Sequence, residues 1–232
     1  MHRPRLPVAR LAAPFLLLSG LAGAAHAESD VKVSGSIGAA TDYVFRGVSQ
    51  TNEDPFVFGT LDVTAGDFYG GIGAENVDFG NDIDLEYDAW VGWKPKAGDF
   101  TFDLGVVRYG YRNQPAGVDI DTVEYKVAVS HPVGKGSLGA AVLHTPDYFG
   151  SDGSGTYYEV NGSVPLNDQW SISGAVGRQD TSKTIDYSTW NVGVGYAPFK
   201  HVSFDVRYHD TDQHDLGDLF DSRVVGTVKV AF

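Results

Sequence analysis

From residue 31 onward the chain alternates apolar and polar residues in short runs, separated by pieces rich in glycine, proline and aspartate. Val123, Tyr125, Val127 and Val129 fall on one face of an extended segment, and Glu124, Lys126, Ala128 and Ser130 on the other. Residues 202–208 repeat the pattern, with Val202, Phe204, Val206 and Tyr208 set against Ser203, Asp205 and Arg207. A period of two is the signature of a half-buried strand, and no segment in this region carries the three- and four-residue spacing of an amphipathic helix. The pattern predicts an all-β protein with twelve strands near 31–46, 55–66, 68–77, 83–95, 99–111, 119–132, 136–146, 155–165, 168–179, 186–198, 200–210 and 220–232.

What joins the strands decides the architecture. Tight connections at 65–67, 95–99, 132–136, 165–168 and 197–200 alternate with longer polar ones at 47–54, 78–82, 112–118, 147–154, 180–185 and 211–219. A soluble sandwich has no reason to alternate in this way. A single antiparallel transmembrane β-barrel does, with short periplasmic turns at one end and longer extracellular loops at the other. Two groups of aromatics are expected to form interfacial girdles: Phe68, Tyr69, Trp93, Phe100, Trp170, Tyr196 and Phe199 by the short turns, and Tyr43, Phe45, Phe56, Phe58, Tyr109, Tyr111, Tyr157, Tyr158, Tyr208 and Phe220 toward the long loops. The chain ends in an alternating strand with Phe232 last, which resembles the terminal signal read by the barrel-assembly machinery.

The amino-terminal stretch tells the same story. Arg3, Arg5 and Arg10 precede an apolar run from Leu11 to Leu21 and the small-residue sequence Ala25-His26-Ala27. This is the order of a secretory signal, and the run is too short to span a bilayer as a helix. Residues 1–27 are expected to be removed, leaving 28–232 as one barrel in the outer membrane of a Gram-negative cell.

Charge and chemistry narrow the function. The chain has 17 basic and 30 acidic residues, and the leader takes three of the bases with it. So acidic a chain is not expected to bind nucleic acid. It has no cysteine, which excludes disulfides and thiolate metal sites. With the apolar face toward lipid, the opposite face supplies Asp42, Arg46, Glu86, Asp88, Glu124, Lys126, Glu159, Asp205 and Arg207, with Arg223 and Lys229, as candidate pore-lining residues. These mixed charges admit two readings, a selectivity constriction or a closed network of ion pairs that fills the lumen. Arg46 and Asp42 stand out, both placed inward near the outer end of the first strand. Asp78, Asp82 and Asp84 in one loop and Asp210, Asp212, Asp215, Asp218 and Asp221 around another make the mouth acidic. No cofactor and no metal site are expected.

Asp42-Tyr43-Val44-Phe45-Arg46-Gly47-Val48-Ser49-Gln50-Thr51, followed by Pro55, resembles the opening motif of the proteobacterial Gcw_chp family of TorF-type porins. The likeness continues through Gly66-Asp67-Phe68-Tyr69-Gly70-Gly71, Leu85-Glu86-Tyr87-Asp88, Gly105-Val106-Val107-Arg108-Tyr109-Gly110-Tyr111 and Thr122-Val123-Glu124-Tyr125. It implies an outer-membrane barrel with a transport role. The expected function is therefore passive passage of small solutes or ions through a narrow charged lumen, with outer-membrane lipid and lipopolysaccharide as surroundings. Two alternatives stand beside it: a non-conducting surface anchor, and an omptin-like protease built from Asp82-Ile83-Asp84 and Asp212-Gln213-His214. No nucleophile elbow or phosphate-binding glycine loop supports an enzyme.

Overall fold

The computed structural model describes residues 31–80 and 82–232; the expected leader and its cleavage point lie outside the described residues. Twelve antiparallel strands follow one another around a closed ring: β1 Lys32–Ala40, β2 Phe56–Ala65, β3 Phe68–Asn76, β4 Leu85–Trp93, β5 Phe100–Tyr111, β6 Thr122–Val133, β7 Gly136–Thr145, β8 Gly155–Pro165, β9 Trp170–Thr181, β10 Tyr187–Phe199, β11 Val202–Thr211 and β12 Arg223–Ala231. Each pairs with its sequence neighbours, and β1 closes the ring on β12 with Ser36 opposite Ala231 and Ala40 opposite Thr227. Closure leaves no sheet edge, so every strand finds its backbone partners within the wall, as a bilayer demands.

Alternation fixes which side is out. Val57, Ile72, Val91, Leu104, Val127, Val142, Val160, Val176, Val192, Val206 and Val224 all stand exposed on the outer face, an apolar band running round the ring. In a soluble protein this would be a large uncovered patch; around a closed ring of strands it is the lipid-facing surface. Among the described residues no helix is long and apolar enough to cross a membrane.

The short turns match expectation. At Gly66-Asp67, Ala65 pairs directly with Phe68, and Gly66 has φ 60°, a value the two-residue hairpin requires and glycine meets without strain. Both termini of the described barrel and all five short turns lie at one end, and the long connections at the other.

Two expectations need correction. The first strand does not run to residue 46: it stops at Ala40, and residues 41–55 leave the wall. The cause is local chemistry. Asp42 accepts hydrogen bonds from Ser49 Oγ (2.7 Å) and Thr51 Oγ1 (2.9 Å), a closed set of partners that replaces the ladder. The second correction concerns the girdles. Tyr43, Phe45, Phe56, Tyr109, Tyr111, Tyr157 and Phe220 are buried inside the barrel rather than facing lipid, and Tyr69 turns inward to donate to Asp103 (2.7 Å). The outer level on the lipid side is made by Tyr87, Tyr125, Tyr158 and Trp190, while Phe68, Trp93, Phe100, Trp170 and Phe199 hold the inner level as expected.

Candidate functional site: a plugged outer lumen above a polar vestibule

The segment after β1 folds into the barrel as a small hairpin, with Val44 paired to Ser49 and Phe45 to Val48. Its tip is Arg46-Gly47, both at positive φ (47° and 87°), the two-residue turn whose twist suits paired strands. Glycine is needed at 47 for space as well as for backbone conformation, because a Cβ there would collide with Thr189 and Thr211 of the wall. Residues 42–51 are all buried. Eight strands make a barrel that side chains alone can fill, and four more widen it enough to admit this ribbon.

The tip reaches the far wall. Arg46 donates through Nη2 to Glu124 Oε2 on β6 (2.7 Å) and through Nη1 to Gln179 Oε1 on β9 (2.8 Å). In a ring of twelve, β6 and β9 lie across from the β1–β2 seam where the hairpin starts, so the ribbon spans the lumen. The guanidinium is also held between the rings of Phe45 and Tyr157, each 4.4 Å from its carbon, a geometry that stabilises a desolvated cation. Tyr109 donates to the same Glu124 oxygen (3.1 Å), leaving that carboxylate well satisfied despite being 1% exposed.

The base of the hairpin is pinned to the near wall. Arg223 of β12 donates to Asp42 Oδ2 (2.9 Å), and Tyr43 donates through its hydroxyl to Glu86 on β4 (3.2 Å). The Tyr43 ring stacks on Phe56, with centroids 4.8 Å apart. Other outer connections fold over the hairpin: Val77, Phe79 and Ile83 from the second, Tyr148 and Phe149 from the fourth, and Phe220 from the last join one buried cluster with it. Asp78 N donates to Gln50 O (2.8 Å), tying the second connection to the plug.

Below the hairpin the lumen changes character. The inward residues of the periplasmic half are mostly small or polar, among them Ser36, Thr60, Gly105, Gly139, Ser163, Ser173, Gly195 and Thr227, and they are partly exposed. Two ion pairs stand there, Lys126 with Asp103 (2.8 Å) and Arg207 with Asp205 (3.0 Å). The second has side chains 20% and 23% exposed and the first 9% and 10%, against 5% and 1% for Arg46 and Glu124, so exposure rises below the plug chiefly at Arg207–Asp205. The first connection thus fills the outer half of the barrel interior, and the half below it is lined by small and polar residues that are partly exposed.

The sequence matches the family described as "Bacterial protein of unknown function (Gcw_chp)" over residues 24–231. The chain belongs to this family. No functionally curated protein matches it in sequence. Among solved structures, the Gcw_chp barrel is similar in fold to a KdgM porin (TM-score 0.59, 11% identity, covering 86% of this chain and 98% of that one). It is likewise similar to a NanC porin (TM-score 0.57, 9% identity, 86% and 98% covered). A third is a KdgM porin in complex with disordered oligogalacturonate (TM-score 0.57, 11% identity, 86% and 98% covered). At such identities the likeness concerns the fold: an outer-membrane porin-type barrel.

In this Gcw_chp barrel the residues singled out from sequence distribute as follows. Glu86, Asp88, Glu124, Lys126, Glu159, Asp205, Arg207, Arg223 and Lys229 all project from the inner face of the wall. Asp42 and Arg46 also point into the lumen, carried there by the hairpin and not by the first strand. Sequence reasoning missed Gln179, Tyr157, Glu75 and Asp103, whose importance comes from which partner sits across the lumen. Asp84, Asp212 and His214 are engaged locally. Asp84 takes a two-pronged contact from Arg112 (3.0 and 2.7 Å), His214 binds Asp210 (2.7 Å), and Asp212 accepts from the Ser188 amide (2.8 Å). His214 is thus coupled to Asp210 and not to Asp212.

Proposed function

We propose that this protein is an outer-membrane channel for small solutes and ions, exported by the leader at residues 1–27 and captured in the closed state of its first connection. The observation that carries this reading is the contrast inside one lumen: a sealed ribbon at the outer end and a partly exposed polar vestibule below it. A barrel built only as an anchor has no use for a hydrated, charge-lined half. Inward acids, among them Asp42, Asp62, Glu75, Glu86, Asp88, Asp103, Glu124, Glu159 and Asp205, outnumber the inward bases Lys32, Arg46, Lys94, Lys126, Arg207, Arg223 and Lys229. Five of these bases already pair with an acid. Such a lumen favours cations and neutral solutes over polyanions. It disfavours a polyanion such as the oligogalacturonate of the KdgM complex. Phe232, exposed after β12, is the residue for the barrel-assembly machinery to read, and the outward girdles face lipid and lipopolysaccharide.

The completeness of the plug favours one second reading, a permanently closed barrel. Single-channel recording in a planar bilayer with a salt gradient separates the two. A channel shows rare openings that become frequent when residues 43–50 are replaced by a short glycine-serine link, with a reversal potential on the cation side. Silence from the plug-less barrel would overturn the channel reading, and a reversal potential on the chloride side would overturn the selectivity.

A further inference from the structure

Beside the plug, on the wall formed by β3, β4 and β5, three carboxylates meet. Strand register explains how: Glu75 lies directly opposite Glu86, and Asp88 follows two residues on, on the same inward face. One oxygen from each lies within 4.8 Å of the others. All three are buried, at 8%, 0% and 9% exposure. No ion pair to any of them is seen among the described residues, since Arg46, Lys126, Arg207 and Arg223 are committed to Glu124, Asp103, Asp205 and Asp42. Buried carboxylates without a compensating cation are strongly disfavoured as anions.

A second observation points to what is missing. Tyr111 lies directly across β4–β5 from Glu86, is 3% exposed, and its hydroxyl approaches Glu86 without completing a hydrogen bond of good geometry to any group. Glu86 Oε2 and Asp88 Oδ1 are also without partners, while the other Glu86 oxygen is taken by Tyr43 of the plug. Unpartnered oxygens on three adjoining side chains of one wall form an unfilled polar site.

We propose that Glu75, Glu86 and Asp88, with the Tyr111 hydroxyl, bind a hard divalent cation of the calcium type. All the donors are oxygen, which selects against zinc and copper. Ligands about 2.3–2.6 Å from a calcium ion stand no more than about 5 Å from one another, a span that suits the observed cluster. The ion supplies the charge the wall lacks, and through Glu86 and Tyr43 it steadies the base of the plug.

Terbium is the probe for the test, because it takes calcium sites and emits when excited through a nearby tyrosine such as Tyr43 or Tyr111. The detergent-purified protein, stripped with chelator, is titrated with terbium, and emission lifetimes are compared in light and heavy water to count coordinated waters. The expected result is one site with few waters, displaced by calcium but not by sodium, and weakened at least tenfold in Glu86→Gln/Asp88→Asn. Heat-modified gel mobility verifies that this variant is folded. Absence of sensitised emission, unchanged affinity in the folded variant, or wild-type emission only from ions as hydrated as those on open loop carboxylates would each overturn the proposal. The wild-type lifetimes decide alone if the variant does not fold.

Discussion

Arg46→Ala tests how the plug is held. In the closed barrel the substitution strips Glu124, at 1% exposure, of its ion-pair partner and leaves Gln179 Oε1 without its donor. Breaking a buried pair by deleting one partner costs about 3–5 kcal/mol, because the survivor stays charged and dry. With the plug withdrawn, Glu124 faces a hydrated lumen and most of that cost vanishes. The penalty therefore falls on the closed state, and at 1.4 kcal/mol per decade the population of the open state rises by about two to three and a half decades. The chain has no cysteine, so Val48→Cys places a single thiol on the buried hairpin. Its rate of modification by a membrane-impermeant maleimide tracks the open population as long as reclosure is fast. We expect Arg46→Ala to raise that rate at least a hundredfold, and Arg46→Ala/Glu124→Ala to recover part of the loss by removing the stranded charge. A rate within threefold of the parent would refute the claim that this ion pair latches the plug.

Other outcomes follow from the same geometry. Gly47→Ala places a Cβ at φ 87° against Thr189 and Thr211, destabilising the closed hairpin by about 1–2 kcal/mol or more, read as faster labelling of the same thiol. On the wall, Val127→Arg faces lipid near mid-strand and is expected to cost about 2–4 kcal/mol in urea-monitored folding into vesicles, while Asn161→Arg on the inner face costs much less; equal costs would contradict the assigned faces. His214, outside the wall, titrates above the usual imidazole range because Asp210 accepts its hydrogen bond. That contact is full below the ordinary histidine pKa and fades as pH rises through the raised one, so an NMR titration shows an elevated midpoint that Asp210→Asn abolishes.

Legibility from sequence divides along a physical line. A period of two reports which face a residue takes, so β7 expected at 136–146 is found at Gly136–Thr145, and β8 at 155–165 is found within the same bounds. Face alone does not say what fills the inside. The hairpin had a signal of its own, since Tyr43-Val44-Phe45 breaks alternation with adjacent apolar residues, as a ribbon buried on both sides must. The misplaced girdle has the same origin: Tyr109 and Tyr111 sit at the right height but on the inward face, where they pack against the plug and not against lipid. Alternation also put Glu86 and Asp88 inward, yet the third acid, Glu75, became relevant only through the register that sets it opposite Glu86.

The contacts that matter most here join residues far apart in the chain, Arg46 to Glu124 and to Gln179, Asp42 to Arg223, Tyr43 to Glu86. Each has one partner on the first connection and one on the wall. Withdrawing the hairpin would therefore expose those wall partners together: the carboxylates of Glu86 and Glu124, the amide of Gln179 and the guanidinium of Arg223. On the channel reading proposed above, the same residues that hold the hairpin in place would line the passage once it leaves.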